Sequence, residues 1–325
     1  MHSVYKRFEE EISSLPVETE PFSLYEPIRY TLQLGGKHVR PRLVLLTTKM
    51  CESNPDLALP AAKAVELLHV FTLIHDDIMD KADTRRGKLT VAKKWDENIA
   101  ILSGDALFGI ALEQLNEIAS IPELSKEQVQ GVFSTFLKAV RIVCEGQSLD
   151  MSFEDRIDVS KDEYITMIGA KTAALIAASS ELGARVAGVS DELITAAYEF
   201  GWNIGTAFQI QDDYLDAVGD AQKTGKKVGG DILEGKKTYL TLTALENASA
   251  EMKSELLDII QKDEKSDADV ARVIAIYRET GTLDQTEQSI QKYYSVALDN
   301  LGKFPDNDAR NEIKSLVNQL MQREK

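Results

Sequence analysis

Three aspartates, Asp76, Asp77 and Asp80, stand at i, i+1 and i+4 behind the apolar run VFTLI. On a helix this spacing confines them to an arc of about 100° on one face. The pattern returns as Asp212, Asp213 and Asp216 behind GTAFQI. A single D-D-x-x-D is ordinarily a solvated helix face, but repetition at identical spacing after core-facing runs asks for another cause. Carboxylates crowded at the end of buried helices repel one another and lose hydration, so they require cations. Oxygen donors without Cys or His suit a hard ion, and Mg²⁺ keeps waters and phosphate oxygens in its shell. Anion-binding groups occur separately: Lys37, Arg40 and Arg42 in GGKHVRPR, Arg85 and Arg86 in RRGK, Lys226 and Lys236 in KTGKKVGGDILEGKK. Each patch alone reads as a surface cluster. Gly35, Gly36, Gly87, Gly225 and Gly235 beside them read as loop positions where backbone N–H groups can approach phosphate oxygens. Acids for Mg²⁺ together with scattered cations imply a phosphorylated substrate.

Helices must position these groups, because apolar residues recur at three-to-four spacing almost from end to end and few windows alternate. The expected fold is all-α. Pro60 opens a helix over 60–81, Ser125 with Gln128 and Ser160 with Glu163 make capping boxes for helices over 125–154 and 160–187, and Ser190 opens one over 190–218. The two acid triplets, on two of these helices, could face each other across a bundle. AALIAASSELGARVAG, with Gly201 and Gly205 in the next helix, permits close helix approach. With no linker, low-complexity tract or solenoid repeat, residues 1–325 read as one domain, its helices after about 241 peripheral.

Lys and Arg number 37 against 53 Asp and Glu, so the net charge of −16 argues against tracking a nucleic-acid backbone. Cys51 and Cys144 have no metal-ligand or disulfide-framework spacing. No stretch reaches the roughly 18 uninterrupted apolar residues of a membrane span. The expected setting is cytoplasmic, without stable membrane insertion.

LGGKHVRPRL, LLHVFTLIHDDIMDKADTRRG, SGDALF, EGQSLD, GAKTAALI, FQIQDDYLD and TGKKVGGDILEGKKTY, in that order, resemble the trans-isoprenyl diphosphate synthases, the family of farnesyl and geranylgeranyl diphosphate synthases. The resemblance covers about the first three quarters of the chain. It implies an isoprenoid synthase-type bundle of long helices around a central cavity, a homodimer, and condensation of isopentenyl diphosphate with an allylic diphosphate. It further implies Mg²⁺, three ions with the diphosphate bound, on Asp76, Asp77, Asp80, Asp212, Asp213 and Asp216. Arg85, Lys171, Lys226 and Lys236 resemble the residues that hold the allylic diphosphate, and Lys37, Arg40, His69 and Arg86 those that hold isopentenyl diphosphate. Thr172 and Gln209 fall where the family stabilises the reacting allylic carbons. Lys171, Thr172, Gln209, Asp76, Asp77 and Asp212 are thus the expected catalytic set. Gln147 sits in the G-Q-x-x-D motif, His38 stands where many members have Arg, and Leu240 replaces the usual proline after KTY.

The chemistry suits these residue types. Breaking an allylic C–O bond leaves a carbocation and a diphosphate, so the catalyst must stabilise the departing negative charge. Helical histidines are more often packed core members than catalysts; His69 gains a ligand role from the resemblance, whereas His75 is expected to orient Asp76 or a neighbouring helix. Phe71, about 7.5 Å along the helix from Asp76, with small Thr72 beside it, resembles the floor of archaeal-type geranylgeranyl synthases. Its bland alternative is a core aromatic. Geranylgeranyl diphosphate is the expected product and farnesyl diphosphate the alternative. A class I terpene cyclase would lack the second D-D-x-x-D and the GGKHVRPR group, and a non-catalytic subunit would lose acids from one triplet; both sets are present here.

Overall fold

The computed structural model describes residues 2–15, 19–156, 158–219 and 228–321, the side chains of residues 2, 3 and 155 excepted. Lys226 and Gly225 lie outside the described residues. Apart from one two-residue hairpin, the described residues form helices and turns, so the chain is all-α as its periodicity requires. In order come α1 (His2–Ser13), α2 (Phe22–Gln33), α3 (Val39–Met50), α4 (Leu59–Met79), the hairpin β1 (Thr84–Arg85) and β2 (Lys88–Leu89), and α5 (Val91–Lys94). Then follow α6 (Glu97–Asn116), α7 (Lys126–Asp155), α8 (Lys161–Ile168), α9 (Ala174–Ala187) and α10 (Asp191–Val218). Among the described residues further helices continue from Gly230–Glu234 to Asp308–Met321.

The chain divides into two compact units, and it passes from one to the other within α7, α9 and α10, after Gly302 and within Asp308–Met321. The first comprises Met1–Val140, Ala178–Tyr198 and Lys303–Ile313. Its centre is α4 packed along α6, with Leu68 and Ile74 of the one and Leu107 and Ala111 of the other buried. The stretch Pro55–Met79 is long and apolar enough to cross a bilayer by composition, yet 72% of its most apolar window is buried inside the protein, as befits a core helix. Proline in its first turn starts α4, where a missing N–H is harmless. It ends in a Schellman motif: Ala82 N–H bonds to the Asp77 carbonyl (2.9 Å) and Lys81 N–H to that of Ile78 (3.1 Å), with Lys81 at φ 50°.

The second unit comprises Arg141–Ala177, Glu199–Gly302 and Lys314–Lys325. The helices after residue 241 supply much of its core, including Leu256, Val273, Ile276 and Tyr277. Thus their polar outer faces, which read as peripheral in the sequence, accompany well-buried inner ones. Between α8 and α9 the helix widens into a π turn over Gly169–Ala173. The sequence predicts an unbroken helix here; the π turn falls where two close approaches meet. A Cβ on Gly146 of α7 would lie 2.2 Å from the backbone nitrogen of Lys171, and one on Gly169 would lie 2.5 Å from the Trp202 ring. This turn is therefore closely approached on two sides, by α7 at Gly146 and by the Trp202 ring at Gly169, where only glycine leaves room.

Candidate active site

Both acid triplets occupy the last turns of their helices, α4 and α10. There the unsatisfied carbonyls make the helix end partially negative, which disfavours each carboxylate by about 0.3–1 kcal/mol. Burial adds to the demand for positive charge.

In the first unit Asp77 is 6% exposed, Asp76 half-buried and Asp80 exposed. Nε and Nη2 of Arg85 both lie 2.8 Å from Oδ1 of Asp77. Burial nevertheless holds the Asp77 carboxyl above its ordinary value, with Arg85 pulling the other way and Asp80 reinforcing the rise. The hairpin places Arg85 by a two-residue turn, Arg86–Gly87, in which both residues have positive φ (53° and 72°), as a type I′ turn requires. Tyr30 steadies this hairpin by donating its hydroxyl to the Leu89 carbonyl (2.9 Å), and Lys94 lies over the Tyr30 ring.

Expected substrate ligands converge in the same unit. Nη1 of Arg40 lies 3.1 Å from Nε2 of His69. Arginine can only donate, so Nε2 accepts and the ring proton sits on Nδ1. Burial first, then the charges of Arg40, Arg86 and Arg85, hold His69 well below the usual imidazole range, so its ring is neutral. The Arg86 guanidinium lies against Gly36, where a Cβ would be 3.1 Å from Nη2. Lys37 is exposed. Arg42 instead stacks over the Tyr5 ring at 5.1 Å.

Phe71 is half-buried, and its ring packs on those of His75 (centroids 4.6 Å) and Phe108 of α6 (5.4 Å). Thr72 donates its hydroxyl to the His69 carbonyl (2.8 Å). His75 reaches α6, where Nε2 lies 3.3 Å from the Ile101 carbonyl and a Cβ on Gly104 would come within 2.3 Å of it. His75 thus contacts the neighbouring helix, one of the two placements expected for it. Phe108 was not singled out by sequence reasoning, although it closes the SGDALF motif.

In the second unit a chain of hydrogen bonds ends on Asp213. Thr172 donates to Oε1 of Gln209 (3.0 Å), and the Gln209 amide donates to Oδ1 of Asp213 (3.3 Å). Tyr164 donates its hydroxyl to Oδ2 (2.5 Å), and the Tyr239 backbone N–H donates to the same oxygen (3.3 Å). Asp213 is 5% exposed, and burial outweighs these donors, pushing its carboxyl up to about 7. The Asp231 N–H donates to Oδ2 of Asp216 (3.0 Å), and the Asp231 carboxyl is pushed up to about 6, first by burial and then by Asp216. Lys236 lies 3.6 Å from Asp231 and also pairs with Glu234. Lys171, within the π turn, is ion-paired to Asp150 of the G-Q-x-x-D motif, and Gln147 is buried. Tyr164, Asp150 and Asp231 were missed in the sequence. The last position of the G-Q-x-x-D motif could have pointed to Asp150, and GGD within KTGKKVGGDILEGKK to Asp231.

Among the described residues no three His, Cys, Asp or Glu side chains form a ready metal cage. The donor set still fits Mg²⁺, which binds through one or two carboxylates plus waters and phosphates rather than in an all-protein cage. Buried carboxylates with raised proton affinity are also groups that gain from a divalent ion.

The sequence profile of the family described as Polyprenyl synthetase matches residues 22–277. The chain is 39% identical over 320 residues to the short chain isoprenyl diphosphate synthase of Methanothermobacter thermautotrophicus, covering 98% of this chain and 95% of that one. To the geranylgeranyl diphosphate synthase of Saccharolobus solfataricus it is 38% identical over 305 residues, 93% and 91% of the two chains. The crystal structure of geranylgeranyl pyrophosphate synthetase from Pyrococcus horikoshii Ot3 superposes with a TM-score of 0.92 at 38% identity, covering 99% and 97%. A profile spanning most of the chain and relatives matched nearly end to end lead to one assignment: the chain belongs to the polyprenyl synthetase family, and it is a trans-prenyltransferase.

Proposed function

We propose that the chain condenses isopentenyl diphosphate with dimethylallyl, geranyl or farnesyl diphosphate and releases geranylgeranyl diphosphate as its main product. The observation that carries this is the repeated acid triplet at two helix ends, the first paired with Arg85 and the second bonded through Asp216 to the backbone N–H of Asp231, whose carboxylate Lys236 faces. In this reading residues 1–325 act as one catalytic domain, in a cytoplasmic homodimer.

Asp76, Asp77, Asp80, Asp212, Asp213 and Asp216 hold Mg²⁺, three ions once the allylic diphosphate is bound. The metal supplies Lewis-acid neutralisation of the departing diphosphate. Arg85, Lys171, Lys226 and Lys236 take up the same negative charge from the protein side, and Lys37, Arg40, His69 and Arg86 hold the second diphosphate. His69 can serve only as a neutral donor there, through Nδ1. Thr172 and Gln209 turn oxygen dipoles toward the positive allylic carbons. The isopentenyl double bond attacks that cation, forming one C–C bond, and the released diphosphate takes the proton whose loss regenerates a double bond. Holding two substrates in register supplies much of the remaining acceleration.

Phe71, closed from behind by His75 and Phe108, supports a short product, and small Thr72 leaves room beyond a farnesyl chain. The test is product chromatography of the purified protein with isopentenyl diphosphate and each allylic diphosphate in turn. Geranylgeranyl diphosphate is expected from all three, with activity abolished by EDTA and restored by Mg²⁺. Products much longer than geranylgeranyl would remove the Phe71 floor, and absence of turnover with every allylic substrate would remove the reading itself.

A further inference from the structure

Beside the cations of the first unit lies a buried acid to which the reaction gives no task. Glu66 of α4 is 5% exposed, and its Oε1 lies 3.1 Å from Nδ1 of His38. A buried carboxylate needs a donor. His38 is held to that purpose by edge-on packing against Phe8 (centroids 5.6 Å, 73°) and by its place at the start of α3, with φ 45°. Two residues on, Arg40 bonds to His69 and keeps a buried Nε that has no partner. No ion pair joins Arg40 to Glu66, although the charge of Glu66 is near enough to favour the protonated guanidinium. An arginine and a carboxylate within reach readily form a bidentate pair. Such a pair would neutralise a cation that a diphosphate needs.

We propose that His38 and Glu66 are a positioning pair: the imidazole occupies the carboxylate, so Arg40 stays turned to His69 and its charge remains available to the diphosphate of isopentenyl diphosphate. The inference rests on the assignment of Lys37, Arg40, His69 and Arg86 to that substrate. Neither member of the pair touches the substrate. Removing His38 alone therefore harms binding because Glu66 is released, and removing the charge of Glu66 as well repairs the harm.

Steady-state kinetics with both substrates varied tests this. His38→Gly suits the left-handed backbone and is expected to raise KM for isopentenyl diphosphate about tenfold, with kcat and the allylic KM within about twofold of wild type. Adding Glu66→Gln is expected to bring that KM back to within about threefold. His38→Asn, which tolerates the same backbone and can donate to Glu66, is expected to stay near wild type. A His38→Gly KM that is unchanged or not repaired by Glu66→Gln, or a His38→Asn KM as high as that of His38→Gly, would overturn the pair. If His38→Gly fails to fold by thermal melting, His38→Asn and the double variant still decide the matter. Wild-type turnover of isopentenyl diphosphate separates the two levels: without it the substrate assignment falls and takes the pair with it, whereas with it a failed repair removes the pair alone.

Discussion

Gly146→Ala places one methyl group against the π turn that carries Lys171 and Thr172. The new Cβ would lie 2.2 Å from the Lys171 nitrogen, 2.6 Å from the Ala170 carbonyl carbon and 2.7 Å from the Lys171 Cα, and all three are backbone atoms. An ordinary contact begins at 3.4 Å, so the turn must retreat by about 1.2 Å. Displacing a positioning group by roughly 1 Å costs on the order of 10²-fold in rate, or about 2.7 kcal/mol of transition-state stabilisation. Stability should move much less. Alanine gains about 1 kcal/mol over glycine in a helix interior, against an overpacking penalty of about 1–3 kcal/mol. The expected result is a kcat/KM about a hundredfold lower in initial-rate assays, with a melting temperature only a few degrees below wild type. Gly109→Ala is the control, because its Cβ would meet nothing within 4 Å, and it should retain full activity. A folded Gly146→Ala protein with kcat/KM within threefold of wild type would refute the claim that this close approach sets the position of Lys171 and Thr172.

Phe71→Ala is expected to lengthen the product by at least one isoprenyl unit. Adding Phe108→Ala should lengthen it further, because the Phe108 ring remains beside the space that is opened; an unchanged product distribution in both variants would show that the ring pair does not stop growth. The Glu163 carboxyl, held down to about 2 by the Ser160 N–H and then by Arg156, has a folded pKa below its ordinary 4.5. It therefore stabilises the fold above about pH 4.5 and loses that contribution as the pH falls toward about 2. The melting-temperature gap between wild type and Glu163→Ala should shrink over that range, and a constant gap would contradict the assignment.

Helix positions were legible where local chemistry fixes them. The Ser160–Glu163 box forms in both directions, and Ser125 and Gln128 exchange backbone contacts as their spacing requires. The acid triplets were equally legible, since a one-dimensional spacing maps directly onto a helical face. The π turn was not. One extra residue is absorbed by a 3.6-residue period, and the turn lies against Gly146 of α7 and the Trp202 ring of α10, both outside its local sequence. Tyr164, Asp231, Phe108 and Glu66 were invisible for a related reason. Each acquires its place through a partner brought near by folding, namely Asp213, Asp216, Phe71 and His38. The ion pair of Arg85 with Asp77 lies between: the two are eight residues apart, but the hairpin that joins them had no period-two signal to announce it.

Arg40 has only N–H groups to offer, and this restricts what residue 69 can be. The ring nitrogen that meets Arg40 must be a bare acceptor, and burial among cations keeps the rest of the ring neutral. Residue 69 is thus constrained to present an acceptor on one side and a single donor on the other, while its capacity to titrate goes unused. A glutamine offers the same two faces; lysine lacks the acceptor and leucine lacks both. Tolerance at this position should be narrow in hydrogen-bond polarity and broad in acid–base character, so that histidine here is interchangeable with a neutral amide.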